Sequence, residues 1–159
     1  MLNNKYYHIR NKIFPFYLRV IFLCDCHGSL QVAHVCFFHE YESSNVWKIR
    51  FVFGILIWLC GFIVNVHSDS ILLKLRKTNN GGYQIPQGGM FQYVSCANLL
   101  GEMMEWSGYA MAANSYASYA FLIFTCTNLI PRSLATHAWY LKKFENYPRN
   151  RSAVIPLLL

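Results

Sequence analysis

The chain has 159 residues, of which 55% are hydrophobic, 17% are aromatic and only 13% are charged. Because soluble domains carry about 25% charged residues, this composition argues against an ordinary soluble domain and indicates a membrane protein. The formal net charge is +7, a balance that suits nucleic acid, anionic lipid or an anionic cofactor. The basic residues lie beside apolar segments rather than in one exposed stripe, so we expect no nucleic-acid partner.

The first half of the chain contains two apolar segments. Phe16–Phe38 is a candidate helix that is interrupted by Arg19 and by a polar run from Asp25. Trp47–Val66 is nearly all apolar from Phe51 onward and is as long as a bilayer-crossing helix needs to be. The cysteines and histidines from Cys24 to His39 lack the spacing of standard zinc modules, so we expect no metal site.

Two further helices follow a glycine- and asparagine-rich loop from Lys77 to Gly89. Tyr93–Trp106 is apolar on one side and polar on the other, which predicts an amphipathic helix. Ser107–Ile130 is predicted to be a second span, because its small residues allow close helix packing and Pro131 ends it. The predicted fold class is therefore an all-α, multi-span membrane protein.

Polar residues fall on one face of each of two predicted helices. At about 100° per residue, Asn65, Asp69 and Arg76 lie within about 40° of one another. An ionised carboxylate in the membrane costs roughly 2.5–3.5 kcal/mol, so we expect such stripes to face an internal cavity. The second stripe consists of Asn98, Glu102, Glu105 and Tyr109.

The residues beside the glycine-rich loop indicate an anionic ligand. Arg76, with Lys74 and Lys77, suits phosphate groups, whereas Asn98 and Glu102 suit an amide or a ribose hydroxyl. The alternative is that the polar groups only pair with one another and hold the helices together. Aromatic residues that would flank a planar ring are Tyr83, Trp106 and Tyr140.

Several ordered motifs resemble the steroid 5α-reductase family, closely from about Gly54 to Leu159 and less closely from Cys24 to Phe53. The similar motifs are Asn65-Val66-His67-Ser68-Asp69, Gly82-Tyr83-Gln84-Ile85-Pro86-Gln87-Gly88-Gly89, Ala97-Asn98, Gly101-Glu102, Glu105-Trp106 and Trp139-Tyr140-Leu141-Lys142.

The resemblance implies a seven-helix membrane oxidoreductase of the endoplasmic reticulum, of which this chain would be a truncated version. It implies hydride transfer from NADPH to C5 of a 3-oxo-Δ4 steroid, within lipid metabolism. It divides the chain into a divergent amino-terminal region, 1–45, and an NADPH-binding membrane domain, 46–159. By matching position, it implies a cofactor site made by Asn65, Asp69, Arg76, Tyr83, Asn98, Glu102, Arg132 and Tyr140.

The chain departs from the family pattern in its upstream part, where the family has a Gln-Glu pair and a tyrosine that polarise the steroid carbonyl. No Gln-Glu pair occurs in this chain, and Tyr6 or Tyr7 is the candidate catalytic acid. Thr136 stands where the family commonly has the first of two histidines. Two alternatives stay open, namely a reductase of an enoyl thioester or polyprenol, and a non-catalytic membrane protein that binds NADPH.

The basic segments after the two predicted spans, which include Arg76 and Lys142, should lie on the same side of the membrane. Because basic loops favour the cytoplasm, we expect a multi-pass protein with a cytoplasmic carboxy terminus.

Overall fold

The computed structural model describes residues 28–29, 33, 45–78 and 83–158. Residues 42–159 form a compact unit of their own. The catalytic candidates Tyr6 and Tyr7 lie outside the described residues, as does nearly all of the predicted helix Phe16–Phe38. The functional division of the chain at residue 45 stays a prediction.

Three α-helices make up most of the described part. Helix α1 is Asn45–Thr78, α2 is Ala97–Ala113 and α3 is Tyr116–Lys143. A short 3-10 helix, Gly89–Gln92, precedes α2. Within the described residues the fold contains helices and one isolated bridge but no strand of a sheet, so the predicted all-α class is confirmed for this part.

Helix α1 includes the predicted span Trp47–Val66 and continues for three further turns. The apolar part of this helix, Lys48–Lys77, has 30 residues and contains an 18-residue window with a mean hydropathy of 2.2. At 1.5 Å per residue the 30 residues are about 45 Å long. Among the described residues it is the one helix with the length and composition of a membrane span, and only 11% of its apolar window is buried. Most of that window is therefore available to lipid.

Helices α1 and α2 are antiparallel and touch through their backbones. A Cβ atom on Gly61 would lie 2.6 Å from the backbone nitrogen of Glu105, and a Cβ on Gly101 would lie 2.6 Å from that of Asn65. Real Cβ atoms essentially never approach other atoms so closely, so only glycine permits this helix spacing. Small residues allow the same close packing between membrane helices in general. One heptad away, the contact is repeated by Gly54 and Gly108.

The predicted continuous span Ser107–Ile130 is wrong, because the helix breaks between α2 and α3. Asn114 adopts the left-handed conformation, with φ 47° and ψ 42°, which asparagine tolerates better than most residues. Ser115 and Ser118 then form a reciprocal capping box that starts α3. The chain therefore reverses at a point where its hydropathy hardly changes.

The prediction that Pro131 ends a helix is also wrong, since α3 continues to Lys143. Proline removes one backbone hydrogen bond, but packing on both sides of it holds the helix together. Leu129 and Ser133 are both buried, at 8% and 0% exposure, and the thiol of Cys96 lies 3.8 Å from the Ser133 carbonyl oxygen. Tertiary contacts thus outweigh the local preference.

Helix α2 begins at Ala97, four residues after the predicted start, because the preceding segment pairs with the carboxy-terminal tail. The amide of Ser95 donates to the Ser152 carbonyl at 2.9 Å, and the amide of Cys96 donates to that of Ala153 at 3.0 Å. The core lies at this junction and includes Phe91, Val94, Leu100, Met103 and Val154.

Gly61→Ala should destabilise the packing of α1 on α2 by about 1–3 kcal/mol, because the added methyl overlaps the α2 backbone. Thermal unfolding of the chain in detergent micelles measures this loss. Cys60→Ala changes the neighbouring, exposed residue and should leave the transition where it is. Equal stability of the Gly61 variant and the wild type would contradict the close backbone contact.

Candidate cofactor site

A group of polar side chains from the three helices interacts through one hydrogen bond and through charge. Asn65 on α1 donates from Nδ2 to Oε1 of Glu105 on α2, at 2.8 Å. Glu102, almost one turn earlier on α2, is half-buried and lies within electrostatic range of Arg132 on α3 and Asp69 on α1. These five residues, Asn65, Asp69, Glu102, Glu105 and Arg132, are called the carboxylate cluster below.

The carboxylate cluster combines three acids with one arginine. Glu105 and Asp69 repel a negative charge on Glu102, while Arg132 attracts it. Ionised carboxylates only accept hydrogen bonds. The cluster therefore suits a ligand that donates hydrogen bonds from amide or hydroxyl groups.

A second, basic and aromatic group lies where α1 and α3 end. Arg76 is exposed in the last turn of α1 and lies within electrostatic range of Tyr140 in the last turns of α3. Burial raises the pKa of the Tyr140 hydroxyl, so this group stays protonated at neutral pH and can donate a hydrogen bond. Tyr83, which is 71% exposed, packs edge-on against Trp139 with 5.0 Å between ring centroids.

A cavity of about 480 Å³ opens next to this basic and aromatic group. Its volume lies in the range of roughly 300–1,000 Å³ that is usual for ligand sites. Aromatic rings, aliphatic side chains and two carboxamides line it, so it suits a planar ring with hydrogen-bonding edges. The lining residues are Leu75, Tyr83, Gln84, Ile85, Gln87 and Phe144.

Tyr140 connects the cavity to the charged groups. Its ring is stacked near that of Phe144, at 6.0 Å between centroids and 25° between planes, and Phe144 lines the cavity. On α3, Arg132 of the carboxylate cluster precedes Tyr140 by about two turns. The cavity, Arg76 and Tyr140 lie where α1 and α3 end, and Asp69 and Arg132 of the carboxylate cluster lie about two turns earlier on the same two helices. These groups are called the polar band below.

Several aromatic side chains pack between α2 and α3, in the part of α2 that follows Glu105. Trp106, which follows Glu105 directly, packs edge-on against Phe121 of α3 with 4.4 Å between ring centroids. It also contacts Tyr109 at 6.0 Å. These rings form an aromatic group between α2 and α3.

The family model described as 3-oxo-5-alpha-steroid 4-dehydrogenase matches residues 5–159. This chain belongs to that family. It is 42% identical to "3-oxo-5-alpha-steroid 4-dehydrogenase 1" of Homo sapiens, over 96% of this chain and 64% of that relative. It is 45% identical to "Steroid 5-alpha-reductase DET2" of Gossypium hirsutum, over 82% of this chain and 52% of that relative. The chain thus spans about half to two thirds of the length of these curated relatives.

Family membership confirms the resemblance inferred from the motifs, and the fold brings most of the implied site residues together. Asn98 is half-buried in the first turn of α2, one turn before Glu102. The binding roles of all eight residues stay a prediction. Four of the eight, Asn65, Asp69, Glu102 and Arg132, belong to the carboxylate cluster. Tyr83 lines the cavity, and Arg76 and Tyr140 belong to the basic and aromatic group next to it.

Of the six residues that line the cavity, the sequence predicts only Tyr83 as a site residue and misses five, namely Leu75, Gln84, Ile85, Gln87 and Phe144. From the loop itself, the sequence places only Tyr83 at the site. The sequence signal for the cavity was the pair Gln84 and Gln87 on either side of Pro86. Pro86 is buried, while both glutamines are exposed. Among the described residues, no group of three or more His, Cys, Asp or Glu side chains is placed to hold a metal ion.

Proposed function

We propose that this chain carries the cofactor site of an NADPH-dependent steroid 5α-reductase, which reduces the C4–C5 double bond of 3-oxo-Δ4 steroids. The observation that carries the proposal is the polar band, in which the carboxylate cluster, then Arg76 and Tyr140, and then the cavity follow one another along α1 and α3. Oxidoreductase chemistry agrees with the names of the relatives. The chain matches only part of the length of these relatives, so catalytic turnover by this chain is likewise proposed.

The residues of the band fit the chemical parts of NADPH. The cavity, with its carboxamides and aromatic rings, suits the adenine base. Arg76, in the last turn of α1 beside Lys77, suits the phosphates. The carboxylate cluster suits the amide and ribose hydroxyls at the other end of the molecule. When bound, NADPH supplies the hydride for the reduction.

The aromatic group between α2 and α3 supports a steroid as the substrate. Trp106, which follows Glu105 in α2, and Phe121 offer flat apolar surfaces, which suit fused rings that partition into a membrane. Hydride addition at C5 needs a hydrogen-bond donor at the 3-oxo group and a proton at C4. Tyr6 and Tyr7, outside the described residues, are proposed as candidates for that donor.

We further propose that the protein is a multi-pass protein of the endoplasmic reticulum membrane with its site on the cytoplasmic side. Basic residues are concentrated where α1 and α3 end, whereas Lys48 and Arg50 lie at the opposite end of α1. The positive-inside rule then favours this orientation. The concentrated residues are Lys74, Arg76, Lys77, Lys142, Lys143 and Arg149.

The orientation predicts that Asn150, which is exposed in an Asn-Arg-Ser sequon, is not glycosylated in the endoplasmic reticulum. Endoglycosidase treatment should leave the mobility of the expressed chain unchanged, as it should for the Asn150→Gln variant. An antibody to a carboxy-terminal tag should stain cells in which only the plasma membrane is permeabilised. A mobility shift that disappears in Asn150→Gln would place this end in the lumen.

Microsomes that contain the chain should convert a labelled 3-oxo-Δ4 steroid to its 5α-reduced product when NADPH is added. Glu102→Gln should lower the rate roughly tenfold or more, the scale of a lost charged hydrogen bond, while Glu145→Gln, at an exposed position in the tail, should not. Reduction of an enoyl thioester or polyprenol in place of the steroid would assign a different substrate. NADPH binding without any product would assign a non-catalytic role.

Arg76→Ala should weaken NADPH binding roughly tenfold to a hundredfold, because a charge-assisted contact to phosphate is lost. NADH binding should change far less, since NADH lacks the 2′-phosphate. Fluorescence titration with each nucleotide measures both affinities. Arg149→Ala removes an exposed arginine from the same side and serves as the control. Equal losses for NADPH and NADH would contradict the phosphate role of Arg76.

A further inference from the structure

Tyr147 lies in the tail after α3, and its ring and hydroxyl are held by several contacts. It is only 4% exposed, and its hydroxyl donates to Ser95 Oγ at 2.6 Å. A buried tyrosine needs such a partner for its hydroxyl. Ser95 is itself held, since its Oγ lies 2.6 Å from His137 Nδ1 and 3.2 Å from the Ser152 carbonyl oxygen.

The tail fixes the ring of Tyr147 from other directions as well. The guanidinium carbon of Arg151 lies 5.4 Å from its centroid, within the range of a cation–π contact. Arg151 is 7% exposed and donates from Nη1 to the Pro86 carbonyl at 3.0 Å. His137 meets the ring edge-on, with 6.0 Å between centroids. Neither the plane of the Tyr147 ring nor its hydroxyl can shift without breaking these contacts.

Tyr140 stacks on this fixed ring. The two centroids are 5.3 Å apart and the planes differ by only 14°, an offset-stacked geometry of the kind that aromatic pairs prefer. Tyr140 belongs to the last turns of α3, and helix ends fray more readily than helix centres. Trp139 and Phe144 also contact the Tyr140 ring, at 5.1 and 6.0 Å between centroids, but both belong to the same helix end. Tyr147 is therefore the contact that joins the Tyr140 ring, and hence its hydroxyl, to the buried tail.

We propose that Tyr147 is a positioning residue of the nucleotide site, which holds the Tyr140 hydroxyl where it meets the cofactor. The inference rests on the proposed function, because it takes Tyr140 as a ligand of NADPH. Tyr147 is not required to touch the nucleotide. It acts only through Tyr140, since a misplaced hydroxyl loses its hydrogen bond although the residue that carries it is unchanged.

A double-mutant cycle on NADPH affinity tests this role, with the full chain in detergent and fluorescence titration as the measurement. Tyr147→Leu removes the stacking surface and should weaken NADPH binding about tenfold, the scale of one lost hydrogen bond. In a Tyr140→Phe background, the same change should have little further effect, because the hydroxyl that Tyr147 positions is already absent. Tyr116→Leu, at a site that is 92% exposed, is the control and should not change the affinity.

Tyr147→Phe keeps the ring and releases only the bond to Ser95, so it remains informative if Tyr147→Leu does not fold. We expect a smaller loss of NADPH affinity, about threefold, which again vanishes in the Tyr140→Phe background. A loss of the same size in both backgrounds, or no loss in either, would overturn the positioning role while the proposed function stands. Failure of the wild-type chain to bind NADPH would instead overturn the proposed function and this inference with it.

Discussion

The backbone contact between α1 and α2 is the constraint on which the rest of the described structure depends. Because Gly61 and Gly101 carry no side chains, the two helix axes approach more closely than any other residues would allow. This approach brings Asn65 to within 2.8 Å of Glu105, one turn from the glycine contact. The outer side of α1 stays apolar and exposed, so the same helix can meet lipid on one side and polar groups on the other.

The charged groups of the site follow from this packing. Carboxylates are costly in a membrane unless they are paired or face a polar space, and Glu102 lies within range of Arg132 on a different helix. Arg132 reaches this position only because α3 continues as a helix through Pro131. The charge balance of the site thus depends on a helix that local preference alone would have ended.

The sequence predicted α1 and its polar face well, because a long apolar run with polar residues at helical spacing has few alternative structures. It placed the later helices less well. A hydropathy pattern does not detect the left-handed conformation of Asn114. It also does not mark the start of α3, because the serines there differ little in polarity from their neighbours. The Asn-Ser pair, with Ser118 three residues on, was the local signal that hydropathy alone does not weigh.

By itself, the sequence determined the family, the all-α class and the identity of most polar residues at the candidate site. Motifs and helical periodicity are properties of the linear sequence and need no knowledge of the packing. Only the tertiary structure decided which of these residues meet. The cavity joins a loop to the residue that follows α3, and the ring of Tyr140 is aligned by Tyr147 from the tail. Such contacts depend on the path of the backbone between distant segments, and that path is set by packing rather than by local pattern.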